Sequence, residues 1–318
     1  MKLSISELDL YRKGYVSIYI TVTHACNLRC MYCYDGKNCK ELIRLDNIER
    51  IISEVESLDL PKYFYDLSGG ELMLLDDWHK ILERFLETGK DVSVNTNGTR
   101  IHSDSIKKII ELDRKYPDKL FLSVSLDASD PVLNGEIRPG TESNKVFDAL
   151  KLLTENGIRY RTAITLSAMN RDSISTTVEY IVKNYSKEII IGVLRPTFDQ
   201  KKYGHLMVSK ADVIEVLRKV EKLKTKIGDF ELYHCLDENW NAFCEAGCDR
   251  ICILPQGDVT ACYALQQASD VVGNIYREPL VEIIQKMHAR NLGRDKSCLL
   301  CEHSARYFGK PIHYLGKS

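Results

Sequence analysis

The chain has 318 residues, 44% apolar and 28% charged, with a formal net charge of −1, which leaves room for one large domain or two modest ones and gives no footprint for nucleic acid. No apolar run approaches a membrane span, and the N-terminus puts acids where a signal peptide needs an apolar centre, so a cytoplasmic protein is expected. In that compartment the 11 cysteines are expected as reduced thiols or metal ligands.

Strand and helix patterns then alternate along the chain. Tyr15–Val22 is rich in β-branched and aromatic residues and predicts a strand. Ile48, Ile51, Ile52, Val55 and Leu58 give helical spacing over Asp46–Leu58. Tyr63–Leu67 (strand), Trp78–Leu86 (helix), Asp91–Asn95 (strand) and Ser103–Leu112 (helix) follow. Leu120–Leu126 predicts a strand, and Val146–Glu155 a helix stopped by Asn156-Gly157. Arg159–Leu166, Ile174–Asn184 and Glu188–Leu194 add strand, helix and strand. Six β/α units predict a parallel sheet with right-handed crossovers. They are too few for a closed eight-fold barrel. The expected fold is therefore α/β: an open, partial (β/α)6 barrel with functional loops at the carboxyl ends of its strands. A helix over Lys210–Lys226 comes next. After Phe230 the texture turns to cysteines, glycines and short apolar runs. The boundary falls near Gly228, with a core over 1–228 and a small α+β domain over 229–318.

The cysteines form two groups, Cys26 to Cys39 and Cys235 to Cys301, which suggests two metal sites. In the first, Cys26-x3-Cys30-x2-Cys33 leaves the first predicted strand. Three thiolates so close can hold three irons of a [4Fe–4S] cube and leave the fourth open to a small molecule. A zinc site or buried core cysteines are the alternatives; zinc usually takes a second nearby ligand pair, and Asn27, Arg29 and Lys37 are poor flanks for a core. With Tyr32 before the last cysteine, the motif resembles the radical SAM superfamily. That resemblance implies a [4Fe–4S] cluster that cleaves S-adenosylmethionine (SAM) to methionine and a 5′-deoxyadenosyl radical, which abstracts a substrate hydrogen atom. It also implies an electron donor such as flavodoxin or ferredoxin.

The loop Ser68-Gly69-Gly70-Glu71 reads as a βα turn in which two glycines admit a ligand closely. It resembles the superfamily's Gly-Gly-Glu segment, which binds the SAM amino group. Asn97, Ser125 and Asp127 sit at strand ends and suit a ribose or a carboxylate as readily as a cap or turn. The resemblance implies Ser125 at the SAM carboxylate, with Asn97 and Asp127 near the nucleoside. Arg138 stands at the spacing where related peptide- and sulfatase-modifying enzymes pair an arginine with the SAM carboxylate, and a guanidinium fork suits that partner. His24, beside the cysteine loop, is expected to make a structural hydrogen bond.

In the second group, Cys244-x12-Gly257-x4-Cys262 and then Cys298-x2-Cys301 resemble the auxiliary-cluster domain called SPASM or, shortened, twitch. A hairpin over Ile253–Thr260, then Gly273-Asn274-Ile275 and a helix over Leu280–His288, keep that domain's order. The resemblance implies one auxiliary [4Fe–4S] cluster on Cys244, Cys262, Cys298 and Cys301, although four thiolates also suit zinc. Cys248 or Cys252 can replace Cys244. Together with Cys235 they are candidate hydrogen-atom donors, and the apolar neighbours of Cys252 point to burial. Arg195, after the last strand, is a candidate for a substrate carboxylate or phosphate. Cys26 stands so near the N-terminus that no leader-binding module is expected before the core. The expected activity is oxidation or modification of a peptide or small molecule. A redox-neutral epimerase with a cysteine donor is the alternative. An iron–sulfur electron-transfer or carrier protein is a different class, and it needs no SAM pocket.

Overall fold

A computed structural model describes residues 15–35, 39, 41–194, 204–234, 250–266 and 268–291. Cys235, Cys244, Cys248, Cys298, Cys301 and Arg195 lie outside the described residues.

Six strands carry the predicted repeat: β1 (Val16–Thr23), β2 (Tyr63–Gly69), β3 (Val92–Thr96), β4 (Leu120–Ser125), β5 (Tyr160–Leu166) and β6 (Glu188–Val193). Each pairs in parallel with the next. The crossovers run through α1 (Leu45–Glu56), α2 (Trp78–Leu86), α3 (Ser103–Lys115), α4 (Pro131–Ile137), α5 (Ser143–Glu155) and α6 (Ile174–Asn184). In β5 the residues alternate cleanly: Tyr160, Thr162, Ile164 and Leu166 are buried, while Arg161, Ala163 and Thr165 are half-buried. β6 repeats this with Ile189, Ile191 and Val193 against Glu188, Ile190 and Gly192. One face of the sheet packs on the helices, which bury Ile48, Ile51 and Val55 of α1 and Ile81, Leu82 and Phe85 of α2. Side chains of the opposite face, among them Tyr19, Asp66, Asn95, Thr165 and Arg250, line an open lumen.

The sheet extends beyond the six repeats at both edges. β7 (Glu231–His234) adds in parallel beside β6. β8 (Arg250–Ile253) adds in parallel beside β1, with Ser17 opposite Arg250 and Tyr19 opposite Cys252. β8 then turns through Gly257, at φ +88°, into antiparallel β9 (Asp258–Thr260), followed by β10 (Gly273–Asn274). The strand order is β10-β9-β8-β1-β2-β3-β4-β5-β6-β7. Strands on both sides of Gly228 therefore share one sheet.

Local chemistry explains the departures from the predicted elements. The helix expected over Lys210–Lys226 is two pieces, α7 (Lys210–Lys222) and α8 (Lys224–Ile227), joined at Leu223. Ser209 and Asp212 form a capping box at the start of α7. The seven-residue α4 was not expected; Asp130 caps it by accepting the Leu133 N–H at 2.8 Å, with Pro131 in its first turn. The last helix, α9 (Leu280–Asn291), belongs to the C-terminal segment, which is pinned to α1. Arg50 Nε donates to the Ile275 carbonyl at 2.8 Å, and the Leu280 N–H donates to Glu54 Oε2 at 2.8 Å.

Candidate active site

The carboxyl ends of β1 to β5 surround a cavity of about 590 Å³ that opens into the lumen. Cys26, Cys30 and Cys33 all line it. Their loop is strapped to the end of α4, because the Arg29 N–H donates to the Pro139 carbonyl at 2.8 Å and the Met31 N–H to Ile137 at 3.0 Å. The Cys33 N–H turns back to the Cys30 carbonyl at 3.1 Å. Among the described residues no three His, Cys, Asp or Glu side chains converge as ligands of a single metal ion. A cube takes one thiolate per iron, so its ligands stand apart around a shared space, and three thiols on one cavity wall fit that group. Burial pushes the Cys30 thiol up to about 11, with Arg138 pulling the other way. Burial likewise raises Cys26. Loading such a site therefore releases protons.

Gly69 and Gly70, at the end of β2, press on the start of the cysteine loop. The Gly70 N–H donates to the Thr23 carbonyl at 2.6 Å and the Glu71 N–H to Ala25 at 2.8 Å. A Cβ on Gly70 would stand 2.0 Å from the Ala25 carbonyl oxygen. Gly69 holds φ at +117°, and a Cβ there would come within 2.4 Å of the Thr23 carbonyl. Neither position tolerates a side chain.

Glu71 stands behind this cradle. Its carboxylate is fully buried and accepts from Asn97 N at 2.7 Å, Thr96 Oγ1 at 2.9 Å and Met73 N at 3.2 Å. Burial pushes the carboxyl above its usual range while these three donors oppose the shift. Asn97 in turn donates to Asn27 Oδ1 at 3.0 Å, tying the β3 loop to the cysteine loop. Ser68, Gly69, Gly70, Asn97, Ser125 and Arg138 line the cavity, as does Tyr32. Asp127 is fully buried and sits under that wall. It accepts from Thr165 N at 2.7 Å, from Arg138 Nη1 at 3.2 Å and from the Tyr32 hydroxyl. Arg138 Nη1 also donates to that hydroxyl at 2.6 Å. Among the described residues, buried Arg138 Nε has no hydrogen-bond partner, which suits an anionic group arriving from the cavity.

His24 makes a structural hydrogen bond of the expected kind. Its Nδ1 lies 2.6 Å from Asp35 Oδ1, both groups buried. The partner could not be read from the sequence. Nor could a tyrosine cluster on the lumen wall, formed by Tyr19, Tyr34 and Tyr263. The only sequence signal for it is that Tyr34 and Tyr263 each follow a cysteine directly. Cys252 is fully buried, and Cys262, just past β9, is nearly so. Arg250, Asp66 and Asn95 reach the cavity from β8, β2 and β3, and Asn95 Nδ2 donates to Asp66 Oδ1 at 2.6 Å.

This fold and site define an enzyme that works at the mouth of a partial barrel, with thiols for an iron–sulfur cube facing a glycine cradle for a small cofactor. The chain belongs to the radical SAM superfamily, whose family model matches residues 20–181. A second family model, the iron–sulfur cluster-binding domain SPASM, matches residues 244–303. The core thus binds a [4Fe–4S] cluster and SAM, and the C-terminal segment carries an auxiliary iron–sulfur site.

Among curated relatives, the chain is 25% identical over 298 residues to the antilisterial bacteriocin subtilosin biosynthesis protein AlbA of Bacillus subtilis. The match covers 89% of this chain but only 62% of AlbA. It is also 25% identical over 312 residues to a GTP 3′,8-cyclase of Clostridium perfringens, covering 87% of this chain and 91% of that enzyme. In fold it resembles Streptococcus suis SuiB bound to the precursor peptide SuiA, with TM-score 0.76, 17% identity and coverage of 95% and 75% of the two chains. It also resembles anSMEcpe with bound AdoMet and the Cp18Cys peptide, with TM-score 0.69, 17% identity and coverage of 86% and 82%. Among the described residues no helix is long and apolar enough to cross a membrane.

Proposed function

We propose that this chain is a peptide-modifying radical SAM enzyme whose net reaction is an oxidation. The observation that carries the radical reading is one cavity lined by Cys26, Cys30 and Cys33 together with Gly69, Gly70, Asn97 and Arg138. The cluster and SAM, when bound, supply a carbon-centred radical that abstracts a hydrogen atom. The protein's own residues do the orienting. Gly69 and Gly70 leave backbone groups open to the SAM amino group, and Arg138 takes its carboxylate. Asn97 and Ser125 stand at the nucleoside and carboxylate ends. Asp66, Asn95 and Arg250 form the polar wall that a peptide backbone or side chain meets deeper in the lumen. Support for a peptide comes from AlbA, named for bacteriocin biosynthesis, and from the peptide-bound SuiB and anSMEcpe structures.

Cys244, Cys262, Cys298 and Cys301 would hold the auxiliary cluster, which would supply an acceptor for the second electron. A flavodoxin or ferredoxin supplies the first. The competing redox-neutral reading gives Cys248, Cys252 or Cys235 the role of hydrogen donor, and the burial of Cys252 under Tyr19's side of the sheet disfavours it there. Chemistry on GTP is the second substrate reading, favoured by the match that covers 91% of a GTP 3′,8-cyclase.

Anaerobically reconstituted protein should hold about eight irons per chain, four for each cube, and release 5′-deoxyadenosine from SAM. The Cys26→Ala, Cys30→Ala, Cys33→Ala triple variant should keep only the auxiliary irons and release none. Peptides encoded beside this gene, tested against GTP, separate the two substrates. A product two hydrogens lighter, without carbon-bound deuterium from solvent, supports oxidation. Turnover of GTP alone sinks the peptide reading.

A further inference from the structure

Tyr34 follows Cys33, and Tyr263 follows Cys262. Residues far apart in the chain, one beside each cysteine group, meet ring to ring. The Tyr34 and Tyr263 centroids are 5.1 Å apart, with the planes at 60°. Tyr19 of β1 joins both. Its ring stacks on Tyr263 at 5.3 Å and 30°, and its hydroxyl is hydrogen-bonded to that of Tyr34. The Arg250 guanidinium covers the Tyr263 ring at 5.1 Å. All three tyrosines border the cavity, yet none belongs to the glycine cradle or to the Arg138–Asp127–Tyr32 group.

We propose that the Tyr34–Tyr19–Tyr263 cluster is the electronic bridge between the SAM-binding cluster and the auxiliary cluster. The proposal rests on the reading that Cys262 ligates the auxiliary cluster. Electron transfer between two buried centres depends on what fills the space between them. Packed rings at these spacings overlap in van der Waals contact and present polarisable π systems, whereas an aliphatic side chain or a void breaks the path. The path here is short in covalent terms. Tyr34 is one residue from Cys33, Tyr263 is one residue from Cys262, and only ring contacts lie between them. One electron passes from the centre being oxidised to the centre being reduced. The tyrosines begin and end as neutral phenols, and no bond forms or breaks in them.

The test is a sub-stoichiometric flash photoreduction of the reconstituted enzyme by a deazaflavin. Freeze-quenched EPR then follows redistribution of the electron between the two cluster signals. Tyr263→Leu should slow redistribution at least tenfold with both signals at full intensity, and Tyr263→Phe should keep the wild-type rate. Tyr19→Leu breaks the same stack without substituting the residue next to Cys262, so it should slow transfer even where Tyr263→Leu disturbs the auxiliary site. Leucine variants with intact signals and wild-type rates overturn the bridge. A Cys262→Ala variant that retains a complete auxiliary cluster overturns the ligand assignment instead, and the bridge with it.

Discussion

The Glu71 carboxylate accepts the backbone N–H of Asn97 at 2.7 Å, so the acid of the Gly-Gly-Glu segment holds the next loop in place from behind the cradle. With Thr96 and Met73 also donating to it, three donors converge on one buried charge. Glu71→Gln puts an amide N–H against one of those donors. Losing a charge-assisted bond and leaving a buried donor unpaired costs about 2 kcal/mol. The variant should unfold at lower denaturant, and because Asn97 shifts, its SAM dissociation constant should rise about tenfold or more. Calorimetric titration of SAM into the reconstituted protein checks this; unchanged affinity would show that Glu71 acts elsewhere.

The Arg138–Asp127 pair is expected to be strongly coupled. Asp127 is fully buried and Arg138 nearly so, so removing either leaves an uncompensated charge at a cost of about 3–5 kcal/mol. Arg138→Met and Asp127→Asn should each destabilise strongly, and the double variant should lose clearly less than the two single losses combined. Urea unfolding of the four proteins measures the coupling, and simple additivity would argue against a pair.

Two glycines give opposite outcomes. Gly70→Ala drives a Cβ into the Ala25 carbonyl and displaces the cysteine loop, so iron incorporation at the first cluster should fail. Gly135, in α4, faces open space, and Gly135→Ala should raise stability by about 0.5–1 kcal/mol. Iron content and unfolding midpoints of both variants test the contrast.

Alkaline pH should act through Tyr160. Burial pushes its phenol up to about 12, and its hydroxyl lies 2.7 Å from Thr154 Oγ1. Below about pH 10 the phenol is protonated folded and unfolded, and its contribution is complete. As pH rises from there toward 12 the unfolded chain loses the proton first, so stability falls. Urea midpoints followed through this range should drop for wild type and drop less steeply for Tyr160→Phe.

The six β/α units were legible because each helix shows an apolar stripe and each strand a short β-branched run. The edges of the sheet were not. The hairpin read over Ile253–Thr260 forms, but its first arm starts earlier, at Arg250, and nothing in those four residues reveals that their other edge pairs with β1. β7 has too few apolar residues to signal a strand. In the site, the motifs identified residue types but not directions. Gly69, Gly70 and Arg138 border the cavity, whereas the side chains of Glu71 and Asp127 turn into the wall behind it. Sequence spacing cannot distinguish a group that meets a ligand from one that braces its neighbour. The His24–Asp35 pair is set by how the cysteine loop folds back on itself, and the tyrosine cluster by contacts across the fold, so sequence spacing reveals neither set of partners.

The parallel pairing of β1 with β8, Ser17 opposite Arg250, sets a timetable for the nascent chain. At about 5–20 residues per second on the ribosome, β1 waits roughly ten to fifty seconds for that neighbour. Until then its outer edge offers unsatisfied backbone groups to any other strand. A chaperone that shields this edge during synthesis should raise the yield of active protein, and cluster assembly on the ribosome-bound chain would begin on a sheet still lacking one of its walls.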